Sequence, residues 1–226
     1  MFNITKLALK IPNFLTHEEC DGLINEFKQR KNESSKEESR NYKTNNTEVS
    51  NFKVIPLKPY TKNFNLVKEK TKLAIKNYLE YLDQPKYFFT EGLKDMLRYS
   101  HNYRIMKYGT GAYIHPHVDF SPHTYASITF NLNEDYEGGV FKFFNKNYTV
   151  NLNKGDALIF PCDFFWVHEV TPVTKGNRYS INSFIRSTPS QSIDLINYIT
   201  NLIDEDITKT TPIEELLGPY IEAYER

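Results

Sequence analysis

From residue 102 to residue 186 the chain reads as a run of short apolar stretches, each stopped by a turn signal before it can grow long. Strands are expected at 102–108, 112–119, 126–132, 140–144, 148–152, 157–160, 167–170 and 178–186. The punctuation between them is Gly109-Thr110-Gly111, Ser121-Pro122, Gly138-Gly139, Asn145-Lys146-Asn147, Asn153-Lys154-Gly155 and Lys175-Gly176-Asn177. About eight short strands at regular spacing, preceded by helical segments, predict a double-sheet roll with helices packed on one outer face.

The segments on either side follow a different period. A short strand is expected at 5–11. Thr16-His17-Glu18-Glu19 has the form of a capping box, and Cys20, Leu23, Ile24 and Phe27 behind it recur at helical spacing, so a helix should run to about Gln29. Residues 30–50 are almost devoid of apolar side chains, which predicts a solvated loop or a lid over a bound substrate. A strand is expected at 52–57. A long helix over 59–82 should bury Leu66, Val67, Leu73, Ala74, Tyr78, Leu79 and Leu82 against a sheet, with lysines outside. Phe88, Phe89, Leu93, Met96 and Leu97 read as core filler. After Pro189 the apolar positions Ile193, Leu195, Ile196, Ile199, Leu202 and Ile203 form a helical stripe, and Thr211-Pro212-Ile213-Glu214 opens a further helix. The expected organisation is one α+β, mainly β domain over 1–226. It has an N-terminal part (1–98), a catalytic roll (99–187) and a C-terminal helical extension (191–226).

Bulk properties narrow the partners. Lys plus Arg and Asp plus Glu are 28 each, so net charge is zero and general attraction to nucleic acid or anionic membrane is disfavoured. Cys20 and Cys162 stand alone, outside any metal-binding or disulfide spacing, which suits a reducing compartment. The N-terminus lacks the apolar run of a signal peptide, and no stretch is long enough to span a bilayer. A cytoplasmic location is therefore expected, in a bacterial cell or, for a viral gene, an infected host cell.

The chemistry concentrates in the roll. In an extended strand, residues two apart share a face, so His117 and Asp119 aim an imidazole and a carboxylate into one space. His168, from a distant strand, completes two histidines and one carboxylate on one side of a metal, leaving the other side open, an arrangement suited to non-haem Fe(II) oxygen chemistry. His115 lies on the same face and is an alternative ligand, although ~6–7 Å further back along the strand. His17, His101 and His123 read as structural. Gly176-Asn177 turns the chain so that Arg178 can run back beside the His168 strand. Its planar guanidinium, deep in the roll, would match a carboxylate in two parallel hydrogen bonds, and Ser180 on the same face would add a hydroxyl. The competing reading of Arg178 is a surface ion pair.

Several motifs in order carry a resemblance. Tyr108-Gly109-Thr110-Gly111, His117-Val118-Asp119, Asn131-Leu132-Asn133, Gly138-Gly139, the run Lys154-Gly155-Asp156 to Phe160-Pro161, His168-Glu169-Val170-Thr171-Pro172-Val173 and Lys175-Gly176-Asn177-Arg178-Tyr179-Ser180 resemble the Fe(II)- and 2-oxoglutarate-dependent oxygenases, specifically the prolyl 4-hydroxylase-like branch. The likeness spans roughly residues 99–187. It implies a double-stranded β-helix (jelly roll, cupin-like) with Fe(2+) held by His117, Asp119 and His168. It also implies 2-oxoglutarate on Arg178 with Tyr108, Ser180 and Asn131 near it, O2 as oxidant, and ascorbate as an accessory reductant. The implied reaction is hydroxylation of a prolyl residue in a peptide or protein, coupled to decarboxylation of 2-oxoglutarate to succinate and CO2. The carboxylate of Asp119 fits hydroxylation, since halogenating relatives lack it. Two departures concern the target: an arginine common before the Asn131 strand has its place near Thr124, and a tryptophan of the last core strand is Phe184. Trp166, Phe184 and Arg186 are the expected substrate wall, or else packing. Two other readings are a dioxygenase acting on a free amino acid or other small molecule, and a non-catalytic cupin-like module holding metal or sugar.

Overall fold

The computed structural model describes residues 3–40, 46–84, 90–119, 121 and 123–189. The chain divides into units Met1–Ser187 and Thr188–Arg226. The fold below is that of the first unit. The expected C-terminal helices, and Phe88 and Phe89, lie outside the described residues.

Among the described residues fourteen strands and three α-helices follow in order. They are β1 (Leu9–Ile11), α1 (His17–Gln29), β2 (Glu38–Arg40), β3 (Thr47–Val49), β4 (Lys53–Pro56), α2 (Lys62–Asp83), α3 (Thr90–Met96), β5 (Tyr99–Tyr108), β6 (Ile114–His117), β7 (Thr124–Asn131), β8 (Glu137–Gly138), β9 (Phe141–Phe143), β10 (Tyr148–Val150), β11 (Ala157–Pro161), β12 (His168–Val170), β13 (Val173–Lys175) and β14 (Arg178–Arg186). A major sheet in the order β1-β11-β7-β14-β5-β4 faces a minor sheet β10-β9-β12-β6, and two strand pairs, β13-β8 and β2-β3, complete the set. This is the expected double-stranded β-helix, mainly β with helices on one side.

Strand alternation explains the two cores. Ile105, Ile128, Phe130, Ile159, Ile181 and Ile185 point outward from the major sheet and pack with Leu23, Phe27, Val67 and Ala74 of the helices. The opposite faces send Met106, Tyr108, Leu158 and Phe160 inward against Phe141, Phe143 and Val170 of the minor sheet.

Helix α1 begins where its capping box predicts: Thr16 Oγ1 accepts from Glu19 N–H at 3.1 Å, and Glu19 Oε2 accepts from Thr16 N–H at 2.8 Å. Helix α2 buries Val67, Thr71, Ala74, Tyr78 and Leu82 at three- and four-residue steps, so Leu73, one position off that stripe, is exposed instead of packed. Leu97 is buried as expected, whereas Leu93 and Met96 sit half-buried on or beside the short helix α3, which sequence periodicity does not reveal.

Three expectations are corrected. The strand at 5–11 is only β1, because Asn3 Oδ1 accepts from Thr5 N–H and Oγ1–H and starts a 3-10 turn over Ile4–Leu7. The described residues 30–40 and 46–50 are not a plain loop. A 3-10 turn, the β2–β3 hairpin and a bridge between Ser35 and Val54 give the segment structure. Polar contacts substitute there for apolar burial: Glu37 pairs with Arg104 of β5, Glu48 Oε2 lies 3.3 Å from His115 Nδ1 of β6, and Ser50 Oγ accepts from Glu37 N–H. The strand expected at 112–119 is shortened to β6, and β8 and β13, two and three residues long, were too brief to register as periodic. Among the described residues no helix is long and apolar enough to cross a membrane.

One glycine ties the N-terminal segment to the roll. Gly155 has φ +87°, its carbonyl accepts from both Phe14 and Leu15 N–H, and a Cβ there would lie 2.4 Å from the Leu15 carbonyl oxygen. Gly155→Ala should therefore lower unfolding free energy by about 2 kcal/mol or more, because left-handed strain and a backbone clash add. Urea denaturation followed by circular dichroism checks this, and an unchanged midpoint would contradict the close approach.

Candidate active site

The site forms where β6 and β12 run side by side. His168 and His117 are direct cross-strand partners, and their ring centroids are 4.2 Å apart. Asp119 lies two residues beyond His117, just past the strand end, and turns its carboxylate between the rings. His117 Nε2 is 3.3 Å from Asp119 Oδ1, and His168 Nε2 is 3.4 Å from Asp119 Oδ2. These three side chains are a cluster whose ligand atoms all lie within 4.8 Å of one another.

Both histidines are held by their other nitrogen. His117 Nδ1 is 2.9 Å from the His115 carbonyl oxygen, and His168 Nδ1 is 2.9 Å from that of Trp166. A carbonyl only accepts, so each Nδ1 carries the proton and each Nε2 offers a lone pair to the shared space. His168 is also wedged by aromatic rings, with Phe141 stacked at 5.3 Å and Phe160 edge-on at 4.9 Å.

The electrostatics suit a cation. Burial, reinforced by His117, pushes His168 down to about 4, so its imidazole is neutral and can act as a ligand. Burial alone would lower His117 too, but the adjacent Asp119 carboxylate outweighs it and raises that group. Burial would raise Asp119, yet the adjoining His168 and His117 imidazoles hold its carboxyl well below the usual carboxylate range. Asp119 Oδ2 is buried and makes no hydrogen bond. Separations of 3.3 and 3.4 Å are too long for a charge-assisted hydrogen bond. They approximate the spacing of roughly 3 Å expected between neighbouring ligand atoms that each sit ~2.1 Å from one ion. Two imidazoles and one carboxylate on one side of an open space fit a divalent iron, whose charge would take the place of the proton that Asp119 favours on His117.

Arg178 starts β14, opposite Tyr108 of β5, and points into the roll because its neighbours Tyr179 and Ile181 pack outward. It is only 2% exposed and has no ion-pair partner among the described residues, so the surface-ion-pair reading is excluded. Its Nη1–H donates to Ser180 Oγ at 3.1 Å, its guanidinium lies 5.1 Å from the Tyr108 ring centre, and its Nε has no acceptor. A buried, uncompensated cation with free donors calls for an anionic ligand. A cavity of about 220 Å³, walled by Tyr136, Gly139, Phe141, Leu152 and others, reaches Arg178. Tyr108 is buried against Phe52, and burial, partly offset by Arg178, pushes its hydroxyl up to about 12, so it stays a protonated donor.

The remaining expected residues are placed differently from one another. The Asn131 amide donates to the carbonyls of Asn133 and Leu152, and its oxygen accepts from Tyr136 Oη, so its groups are spent on holding the cavity wall. The Trp166 ring is buried among Phe143, Phe144 and Phe160, facing the core and not an opening, while its carbonyl orients His168. Phe184 and Arg186 lie further along β14, where Phe184 stacks under the Arg104 guanidinium and Arg186 Nη2–H donates to His101 Nδ1 at 2.8 Å. His115, the alternative ligand, is instead paired with Glu48.

Sequence reasoning missed Gly139. A Cβ on it would come within 2.9 Å of Arg178 Cδ and 3.1 Å of Val173 Cγ2, so glycine leaves the room in which the arginine stem lies. The Gly138-Gly139 pair was visible as a turn, but nothing local in it points at a residue so far along the chain.

Residues 103–186 match the 2OG-Fe(II) oxygenase superfamily. The chain is 41% identical over 71 residues to mouse procollagen-lysine,2-oxoglutarate 5-dioxygenase 1, a stretch that covers 31% of this chain and 10% of that protein. The chain thus spans about a tenth of the length of this curated relative. Among solved structures, a Pseudomonas putida prolyl-4-hydroxylase superposes with a TM-score of 0.59 at 19% identity, covering 81% of this chain and 94% of that one. A Trichoplax adhaerens prolyl hydroxylase in complex with a hypoxia-inducible-factor degradation-domain peptide superposes with a TM-score of 0.61 at 15% identity, covering 81% and 84%. Residues 103–186 are thus similar to the 2OG-Fe(II) oxygenase superfamily, and the chain has the fold of these prolyl hydroxylase structures.

Proposed function

We propose that this chain is an Fe(II)- and 2-oxoglutarate-dependent dioxygenase that hydroxylates a prolyl residue within a peptide or protein. The observation that carries this reading is the convergence of His117, Asp119 and His168 in the same roll as Arg178, a buried cation with no acidic partner among the described residues. His117 Nε2, one Asp119 oxygen and His168 Nε2 would hold the iron. Bound iron and 2-oxoglutarate supply activation of O2, coupled to loss of CO2 and formation of succinate.

The chain's own residues do the rest. The backbone carbonyls of His115 and Trp166 fix the two imidazoles in the tautomer that binds metal. Arg178 neutralises the distal carboxylate of the co-substrate, with Ser180 holding one arm of the guanidinium and the Tyr108 ring packed against it. Phe141 and Phe160 keep water from the His168 side. Phe184 and Arg186 remain the proposed substrate wall. A peptide target is supported by the peptide-bound Trichoplax structure, and ascorbate is retained as an accessory reductant. A lysyl target is the second reading, favoured by the identity to the mouse procollagen-lysine enzyme.

Asp119→Ala should abolish succinate formation while leaving the protein folded, because the carboxylate makes only two long contacts, to His117 and His168, and its removal costs little structure. Succinate release under air with Fe(II) checks this, and retained turnover would remove Asp119 from the site. Arg178→Ala should weaken 2-oxoglutarate binding at least tenfold (~1.4 kcal/mol) with Fe(II) affinity unchanged. Calorimetric titration of each component separates the two effects, and unchanged co-substrate affinity would contradict the assigned role. Mass spectrometry of proline- and lysine-containing peptides after incubation, read for one added oxygen and its position, decides between the two targets.

A further inference from the structure

We infer that Arg186, with Arg104 on the same wall, recognises a carboxylate of the substrate, so that the preferred peptide carries an aspartate or glutamate close to the hydroxylated residue. This rests on the reading that the site acts on a peptide. The wall is the inner face of the major sheet at the level of the metal ligands, and strand register locates it. Phe160 of β11 packs edge-on against His168 at 4.9 Å and pairs with Ser127 of β7. Ser127 pairs in turn with Phe184 of β14, and Phe184 with His101 of β5. Phe184 therefore lies one strand away from the residue that pairs with Phe160. Ile181 and Ile185 pack outward, so Phe184 and Arg186 both face in.

Guanidinium groups surround the Phe184 ring. That of Arg104 lies 5.3 Å from its centre. Arg186 Nη2–H donates to His101 Nδ1 at 2.8 Å, and the His101 ring is 5.7 Å from that of Phe184. Arg104 is paired with Glu37. Arg186 has no such partner among the described residues: burial alone acts on it and lowers its pKa, whereas a carboxylate nearby would raise it. The Nε of each arginine is buried without a hydrogen-bond partner. Two cations against one carboxylate leave a positive surplus in this half-buried wall, although the whole chain is neutral. His101 reports the surplus. Burial, then Arg186 and Arg104, push it down to about 4, so it stays neutral.

The co-substrate does not answer this charge. Arg178 and Arg186 are the two ends of the nine-residue strand β14, and at ~3.3 Å per residue their backbones lie roughly 26 Å apart. A guanidinium with free donors is a planar fork that matches a carboxylate in two parallel hydrogen bonds. An extended peptide advances about 3.3–3.6 Å per residue, and Arg186 is two residues beyond Phe184. An acidic side chain next to the target, or one position further, comes within its reach. A lysine or arginine there would add a further unpaired cation, so the same wall rejects a basic flank.

The test uses the full chain loaded anaerobically with Fe(II) and 2-oxoglutarate. Its probes are fluorescein-labelled glycine-rich heptapeptides with a central proline or lysine, flanked by glutamate, glutamine or lysine, and binding is read by anisotropy. The expected result is binding at least about fivefold tighter for glutamate-flanked peptides than for their glutamine counterparts. R186Q should bring that ratio to within about twofold of one, and R186E should favour the lysine-flanked peptides. Fe(II) and 2-oxoglutarate affinities within about twofold in both variants separate a lost contact from a lost fold. Equal binding of glutamate and glutamine peptides by the unsubstituted protein overturns the inference. So does an unchanged ratio in R186Q, or no peptide binding at all. Displacement of bound peptide by free proline or lysine, dependent on Arg186, would assign the carboxylate to a free amino acid and overturn the peptide commitment. Peptides that bind with the expected preference but gain no oxygen under air count against the catalytic reading and leave the carboxylate site standing.

Discussion

The cross-strand pairing of His117 with His168 is the contact on which the functional geometry depends. It joins two segments of the minor sheet that are far apart in sequence, and it can hold only if β6 and β12 stay in register. Because side chains alternate with a period of two, a one-residue slip would turn both imidazoles to the opposite face and bury other groups in their place. The bulge between His168 and Val170 and the rings of Phe141, Phe143 and Phe160 around His168 oppose that slip. The Trp166 carbonyl fixes the ring a second time from the backbone.

Around that contact the roll keeps an interior that is polar where a protein core is normally apolar. Arg178, Ser180, Asn131 and Thr129 are buried on the inner face of the major sheet, and Arg178 Nε, Asn182 Oδ1 and Asp119 Oδ2 have no hydrogen-bond partner. Each such group costs stability in the isolated fold, and burying a lone guanidinium costs most. A metal ion and a dicarboxylate would satisfy these groups together, one charge cluster answering the triad and the other the arginine. Gly139 makes the arginine's position feasible by omitting a side chain.

Much of this was legible in the sequence because it rests on local rules. Turn residues spaced the strands, the Thr16–Glu19 box opened α1 where predicted, and strand parity alone set His117 beside Asp119. His117 and His115 share a face, so the choice of His117 rested only on distance along the strand. It is decided by Glu48, which occupies His115 from a hairpin whose polar composition reads as disorder. That hairpin is ordered through Glu37–Arg104 and Glu48–His115, contacts between distant segments that no local window contains. Trp166 shows the converse: its neighbourhood to His168 pointed to the site, but Phe143, Phe144 and Phe160 from other segments draw its ring into the core.

The central claim is that His117, Asp119, His168 and Arg178 jointly hold one Fe(II) and one 2-oxoglutarate. Anaerobic addition of 2-oxoglutarate to the Fe(II)-loaded protein, followed by visible absorption, tests it most directly, because only a keto acid chelated to the metal gives a metal-to-ligand charge-transfer band. The account predicts a visible band that grows to a one-to-one endpoint with co-substrate. A flat visible spectrum with both components bound would contradict it.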